Sequence, residues 1–179
     1  MKNGLVALLN GAINESANAA RGIVLPELQD IIVNGQKKSF GPISWRSSDP
    51  IGLFESVGNG NNIFHFLANH GLFRSVLPII EANVDSILAR EKIDYQRAGY
   101  VSSKAFLAAK ISETNVHGVT PIHLTAKEDN QDLDYLMSKQ IPLGIFKVNT
   151  DGSNIMHHIA RGVKFHERLK YIIDNIENL

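Results

Sequence analysis

The chain has 179 residues, 44% of them apolar and 20% charged, which is ordinary globular composition and argues against a disordered protein. Eighteen basic side chains balance eighteen acidic ones, so no net field favours nucleic acid or an anionic membrane as the main partner. With no cysteine, disulfides, thiolate zinc sites and a cysteine nucleophile are all excluded.

At the start of the chain, the apolar run Leu5-Val6-Ala7-Leu8-Leu9 is broken at once by Asn10-Gly11. That is too short for a signal-peptide core, and no run approaches the length of a transmembrane helix, so a soluble protein is expected. Residues 5–20 read as a helix. Pro26 suits the first turn of a second one reaching Asn34, with Gly35 as its stop. Asn34-Gly35 would alternatively turn a hairpin between 31–33 and 37–40, and the helical reading is favoured. Gly41-Pro42 and Ser47-Ser48-Asp49-Pro50 punctuate the joint that follows. Residues 1–55 are therefore expected to form a helical segment capping residues 56–179.

From there on, three stretches read alike: Gly60-Asn61-Asn62-Ile63-Phe64-His65-Phe66-Leu67-Ala68, Gly118-Val119-Thr120-Pro121-Ile122-His123-Leu124-Thr125-Ala126 and Gly152-Ser153-Asn154-Ile155-Met156-His157-His158-Ile159-Ala160. Each glycine suits a tight turn that needs positive φ. Thr120 can cap a helix whose first position is Pro121, and Asn62 and Asn154 supply the same chemistry in the other copies. Each short helix is followed by a turn and a second apolar stripe: Phe73, Val76, Ile79 and Ile80, then Leu133, Leu136 and Met137, then Leu169, Ile172, Ile173 and Ile176. Pro78 is expected to kink the first of these second helices.

Thr120-Pro121-Ile122-His123 resembles the ankyrin-repeat signature, and the loop, helix, turn and antiparallel helix of each block are similar to that family's unit. The resemblance implies an all-α solenoid with repeats at about 57–83, 115–141 and 149–178. His123 to His157 spans 34 residues, against a family period of about 33. His65 to His123 spans 58, about 25 more than one period, so an insertion is expected at about 84–114. It includes a helix near 104–111, for which Ser102 or Ser103 is the cap. Gln140 and His158 depart from the family pattern.

The same resemblance implies that His65, His123 and His157 are structural and tie one repeat to the next. A position shared by three repeats also suits structure better than one active site. His157 and His158 are adjacent and diverge, and no His-Glu-x-x-His occurs, so no metal and no cofactor are expected. Glu128, Asp129, Asp132 and Asp134 read as solvated carboxylates around a helix start rather than a cation site. Arg161, Lys164, His166, Arg168 and Lys170 form a basic cluster that would suit a phosphate or an acidic partner, or simply a solvated outer face. No nucleophile, base and oxyanion set can be assembled, and no enzyme is expected.

In ankyrin proteins the partner usually contacts loop tips and the exposed side of each first helix. Carried over by matching position, that row comprises Asn59, Asn61, Asn69 and His70, then Val116, His117, Val119, Lys127 and Glu128, then Thr150, Asp151, Ser153 and Arg161. The implied function is a scaffold that binds another protein, as a monomer in the cytoplasm. Trp45, Tyr95, Tyr100 and Phe106 lie outside the repeats and are candidate anchors in the N-terminal segment and the insertion. Small asparagine-rich ankyrin proteins also resemble effectors that intracellular bacteria inject, which would place the chain in host cytosol. In a competing reading, Leu25-Pro26-Glu27-Leu28-Gln29-Asp30-Ile31-Ile32 and Trp45-Arg46 faintly resemble an F-box, implying a ubiquitin-ligase adaptor.

Overall fold

The computed structural model describes residues 53–56, 59–69, 71–127, 131–139, 144–162 and 164–175. The expected N-terminal helices, the alternative hairpin and the F-box-like stretch lie outside the described residues, as do His70, Glu128 and Gln140. The described residues are all helical, with no strand. Seven helices follow in order: α1 Ile63–Asn69, α2 Phe73–Arg90, α3 Ser103–Ile111, α4 Pro121–Lys127, α5 Gln131–Ser138, α6 Ile155–Ile159 and α7 Phe165–Asn175.

The short helices form one layer, α1 against α4 and α4 against α6, and the outer layer places α2 against α5. Within each unit the short helix meets its longer successor: α1 with α2, α4 with α5, α6 with α7. The α1 hairpin turns where Gly71 takes φ 64°, so that the Leu72 N–H reaches the Leu67 carbonyl at 2.9 Å. Leu72 has no side chain able to cap α2. The missing acceptor comes from α5, where the buried Asp132 carboxylate accepts from the Phe73 and Arg74 N–H groups at 2.7 and 3.1 Å.

Along α2, Phe73, Val76, Leu77, Ile80, Val84, Ile87 and Leu88 are buried, the spacing of one helical face. Pro78, expected to disturb this helix, does not end it. Pro78 is exposed, as is Arg74 four residues before it, whose carbonyl loses its usual donor, so the ring sits on the outer side of the helix. The boundary expected near residue 84 thus falls inside α2. The helix ends at Glu91 with Lys92 at φ 56°, the Lys92 N–H bonding the Ala89 carbonyl and the Ile93 N–H the Leu88 carbonyl. This is the same two-bond stop as at Gly71, built with a lysine.

The extra segment does not project from the stack. The α3 helix starts where the Ser102 hydroxyl accepts from the Ala105 N–H at 3.1 Å, and it packs against α2 and α1. Phe106 meets Phe54 edge-on at 5.4 Å between centroids, and Phe54 stacks on Phe64 at 6.2 Å. Tyr100 closes on Phe106 from the other side at 5.4 Å. These rings join the segment before α1, the insertion and the first unit into one core. Phe106 is buried and Tyr95 and Tyr100 pack against the core, so their aromatic surface is largely spent inside the protein. The Glu91 carboxylate adds a polar tie, accepting from the Leu53 N–H at 2.8 Å, while burial pushes its pKa up.

A left-handed residue other than glycine costs roughly 1 kcal/mol. Lys92→Gly should therefore stabilise the protein by about 1 kcal/mol, read as a higher urea midpoint at unchanged slope. The exposed side chain of Lys92 leaves little packing to lose.

Candidate functional site

Each short helix opens with the same box. The His65, His123 and His157 Nδ1 atoms accept from the main-chain N–H of Asn62, Thr120 and Asn154 at 3.3, 3.2 and 3.2 Å. Histidine here takes the place that glutamate or glutamine holds in the commoner capping box. The Thr120 hydroxyl lies 2.6 Å from Nδ1 and is able to donate to it while Nε2 faces the Lys147 carbonyl, an arrangement that suits the neutral ring with its hydrogen on Nε2. The Asn62 and Asn154 carboxamide oxygens sit 2.8 Å from their histidines but cannot donate, which leaves those boxes less well matched.

The outward nitrogen then links units. His65 Nε2 lies 2.9 Å from the Val119 carbonyl, and His123 Nε2 lies 3.0 Å from the Lys147 carbonyl. Burial lowers both pKa values. For His65 the Val119 carbonyl and Glu113 oppose the shift, and for His123 the Lys147 carbonyl opposes it while His158 and Lys147 add to it. His157 differs: it is exposed, and among the described residues its ring bonds Asn154 alone.

The loops stack in register through main-chain atoms. The Val116 N–H donates to the Asn59 carbonyl at 3.1 Å, and the Thr150 N–H to the His117 carbonyl at 2.9 Å. The loops approach so closely that a Cβ on Gly60 would lie 2.9 Å from the Val116 nitrogen, and one on Gly118 3.0 Å from the Asn149 Cα. Both glycines also have positive φ, so each is required twice over.

Two organising residues escape a sequence-level reading. The Asn115 side-chain oxygen accepts from the His117 and Val119 N–H groups, and Asn149 does the same for Asp151 and Ser153. The signal was an asparagine three residues before the motif glycine in two copies. Asn115 also donates to the Asn61 side chain at 2.9 Å.

Of the residues expected to meet a partner, Asn59, Asn61, Val116, His117, Val119, Thr150, Asp151 and Ser153 come together as this row of loops. Asn59, Val116, His117, Thr150 and Asp151 are exposed, while Asn61, Val119 and Ser153 are half-buried, and Val119 spends its carbonyl on His65. Asn69 and Arg161 are exposed at the far ends of α1 and α6, away from the tips. Lys127 closes α4.

The basic cluster is largely consumed within the protein. Buried Arg168 and exposed Lys164 bond Asp134 at 2.9 and 3.1 Å, and Lys170 pairs with Asp174 at 2.6 Å. Asp132 and Asp134 serve helix capping and ion pairing rather than the solvated role expected of them. Among the described residues, no three His, Asp or Glu side chains converge to hold a metal ion. No helix among them is long and apolar enough to cross a membrane. Comparison with protein-family models, curated proteins and solved structures finds no match.

Two expectations follow. The unfolded chain binds protons at His65 and His123 near the ordinary value of 6.5, whereas the folded chain resists them. Their contribution to stability is therefore complete above that value and is lost as pH falls through the lower folded values. Urea midpoints should drop between about pH 7.5 and 5.5, and less steeply in His65→Gln. Separately, Gly152 meets nothing within 4 Å, so Gly152→Ala should cost only its backbone strain, about 1 kcal/mol. Gly118→Ala must also displace the next loop and should cost about 2–3 kcal/mol, measured by the same denaturation.

Proposed function

We propose that the chain is a divergent ankyrin-repeat protein and works as a non-enzymatic module that binds another protein. The observation that carries this reading is the division of labour in the loop row. Val116, His117 and Thr150 hold the loops in register with main-chain groups, while their side chains, like that of Asp151, are exposed. A rigid row of solvent-facing side chains lowers the ordering cost of binding, which is what a recognition surface needs. The repeated loop, short helix, turn and long helix, with a histidine linking successive units, support the family reading. The row mixes asparagine, valine, histidine, threonine and aspartate, which favours a polar protein surface over a nucleic acid or a lipid.

The test is capture from a cell lysate followed by crosslinking mass spectrometry, comparing the native chain with Val116→Lys, Thr150→Ala, Asp151→Lys combined. The variant should unfold at nearly the native urea concentration, because it leaves the main-chain bonds in place. One stoichiometric protein should crosslink to the loop row and lose at least about tenfold in affinity with the variant. A partner held equally by both proteins would move the interface off the loops. The absence of any partner would remove the binding-module reading.

A further inference from the structure

His65 and His123 join their units by the same pair of bonds but sit among opposite charges. Protonation gives an imidazole two N–H groups and no acceptor, so Nδ1 turns from an acceptor for the cap's main-chain N–H into a donor facing it. Around His65 the change is absorbed. The Asn62 carboxamide oxygen already lies 2.8 Å from Nδ1 and can receive its hydrogen, Nε2 keeps the Val119 carbonyl, and the Glu113 carboxylate offsets the charge. Glu113 is held in turn by Lys110 and the Asn62 side chain at 3.0 and 2.9 Å. A bond that no proton reaches, from Asn115 to Asn61, also spans this first seam. Around His123 the change meets cations. The helix α6 keeps His157 on Asn154 but brings the His158 ring to 6.0 Å between centroids. The loop before it brings Lys147, whose ammonium bonds the Ser112 carbonyl at 2.7 Å. Besides the two histidines themselves, α1 carries no ionisable residue and α4 only Lys127. On α5, Asp132 is committed to the start of α2, Asp134 to Arg168 and Lys164, and Lys139 to Glu81. Burial lowers the His123 pKa, the bond to the Lys147 carbonyl opposes this, and the charges of His158 and Lys147 add to it.

We propose that the joint between the second and third units is an acid-sensitive hinge, in which a proton on His123 parts the Thr150 loop from the His117 loop while α7 stays on α5. The two sides of this joint are built from different chemistry. On the loop side, His123 bonds the Lys147 carbonyl and the Thr150 N–H bonds the His117 carbonyl, so an imidazolium repelled by Lys147 and His158 loosens both. On the outer side, Asp134 stays below the ordinary carboxylate range and remains charged at about pH 5.5, which keeps its bonds to Arg168 and Lys164. The Tyr171 bond to the Met137 carbonyl is equally indifferent to mild acid. Acid therefore opens one face of the joint about a fixed far side, which is hinge motion rather than release of the unit. The hinge is a property of the stack and is tested without a partner. Only its consequence, that mild acid splits the loop row and frees what is bound there, rests on the row being a binding surface.

The test is amide hydrogen exchange of the native chain, read by NMR at about pH 7.5 and 5.5 and corrected for the intrinsic pH dependence of exchange. The parted loop takes up a proton that the closed one resists, so opening is favoured as pH falls below the ordinary histidine value. Protection of the Thr150 N–H should drop about fivefold across this range, and that of the Val116 N–H, which spans the first seam, by less than half as much. Ile172 in α7 should stay at least about tenfold better protected than Thr150 at both pH values. In His123→Gln, whose amide can fill the same place in the capping box, the drop at Thr150 should disappear. No drop at Thr150, an equal drop at Val116, or a drop that survives His123→Gln would overturn the proposal. Ile172 exchanging as fast as Thr150 at the lower pH would mean the unit unfolds whole, and equally overturn it. If His123→Gln does not fold, Thr120→Asn decides, because it keeps a capping side chain and gives His123 the oxygen that His65 already has. There the drop at Thr150 should at least halve, and an unchanged drop would end the idea.

Discussion

His65 and His123 each commit both ring nitrogens, one to the start of their own helix and the other to the loop that follows in the stack. The helices they open have only seven residues each, far below the length at which a helix persists unaided. Such helices exist because their first N–H groups are capped and their flanks are buried by neighbours. The imidazole supplies the cap and the link to the neighbour in one side chain. Glutamate, the usual partner in a capping box, would bring a charge into a buried site. A neutral imidazole brings none, and burial keeps it neutral. The same requirement explains the close-packed glycines: a carbonyl can meet Nε2 only if the next loop lies against the one before it.

The outer layer is held by a different chemistry. Asp132 reaches across from α5 to close the start of α2, replacing a local cap that Leu72 cannot offer. Burial pushes the Asp134 carboxyl upward, yet hydrogen bonds and charge from Arg168 and Lys164 outweigh it, and the group stays below the ordinary carboxylate range. Arg168 is buried, and its bond to Asp134 at 2.9 Å ties α7 to α5. A second bond, from the Tyr171 hydroxyl to the Met137 carbonyl at 2.6 Å, ties the same two helices further along. Each outer helix therefore depends on a residue from the unit beside it.

What could be read from the sequence was whatever is local. The positive-φ glycines at 60, 118 and 152, the caps Asn62, Asn154 and Ser102, and the helical periods all follow from a few adjacent residues and their own stereochemistry. What stayed hidden was every pairing set by the third dimension. Nothing near Asp132 in sequence marks it as the cap of a helix 58 residues back. The destination of Arg168, and the meeting of Phe54 with Phe106 that folds the insertion into the core, are equally non-local. Pro78 stands inside α2, and what its missing N–H costs depends on whether the orphaned carbonyl is buried, which cannot be judged from the residue alone. The loop row was legible as positions, but its order of importance was not, since Val119 and Asn61 turn out to be partly structural.

That last distinction bears on how such a surface can change. At Val116, His117 and Thr150 the bonds that join the loops come from the main chain, which every residue except proline supplies identically. Substitution there alters what is presented without altering what holds the units together. At Asn115 and Asn149 the reverse is true, because the side chain itself shapes the turn. What the loops present to solvent and what holds them together thus rest on different atoms. With Phe54, Phe64, Phe73 and Phe106 drawn into the core and the formal charges cancelling, what these loop tips present is mainly shape and hydrogen-bonding groups.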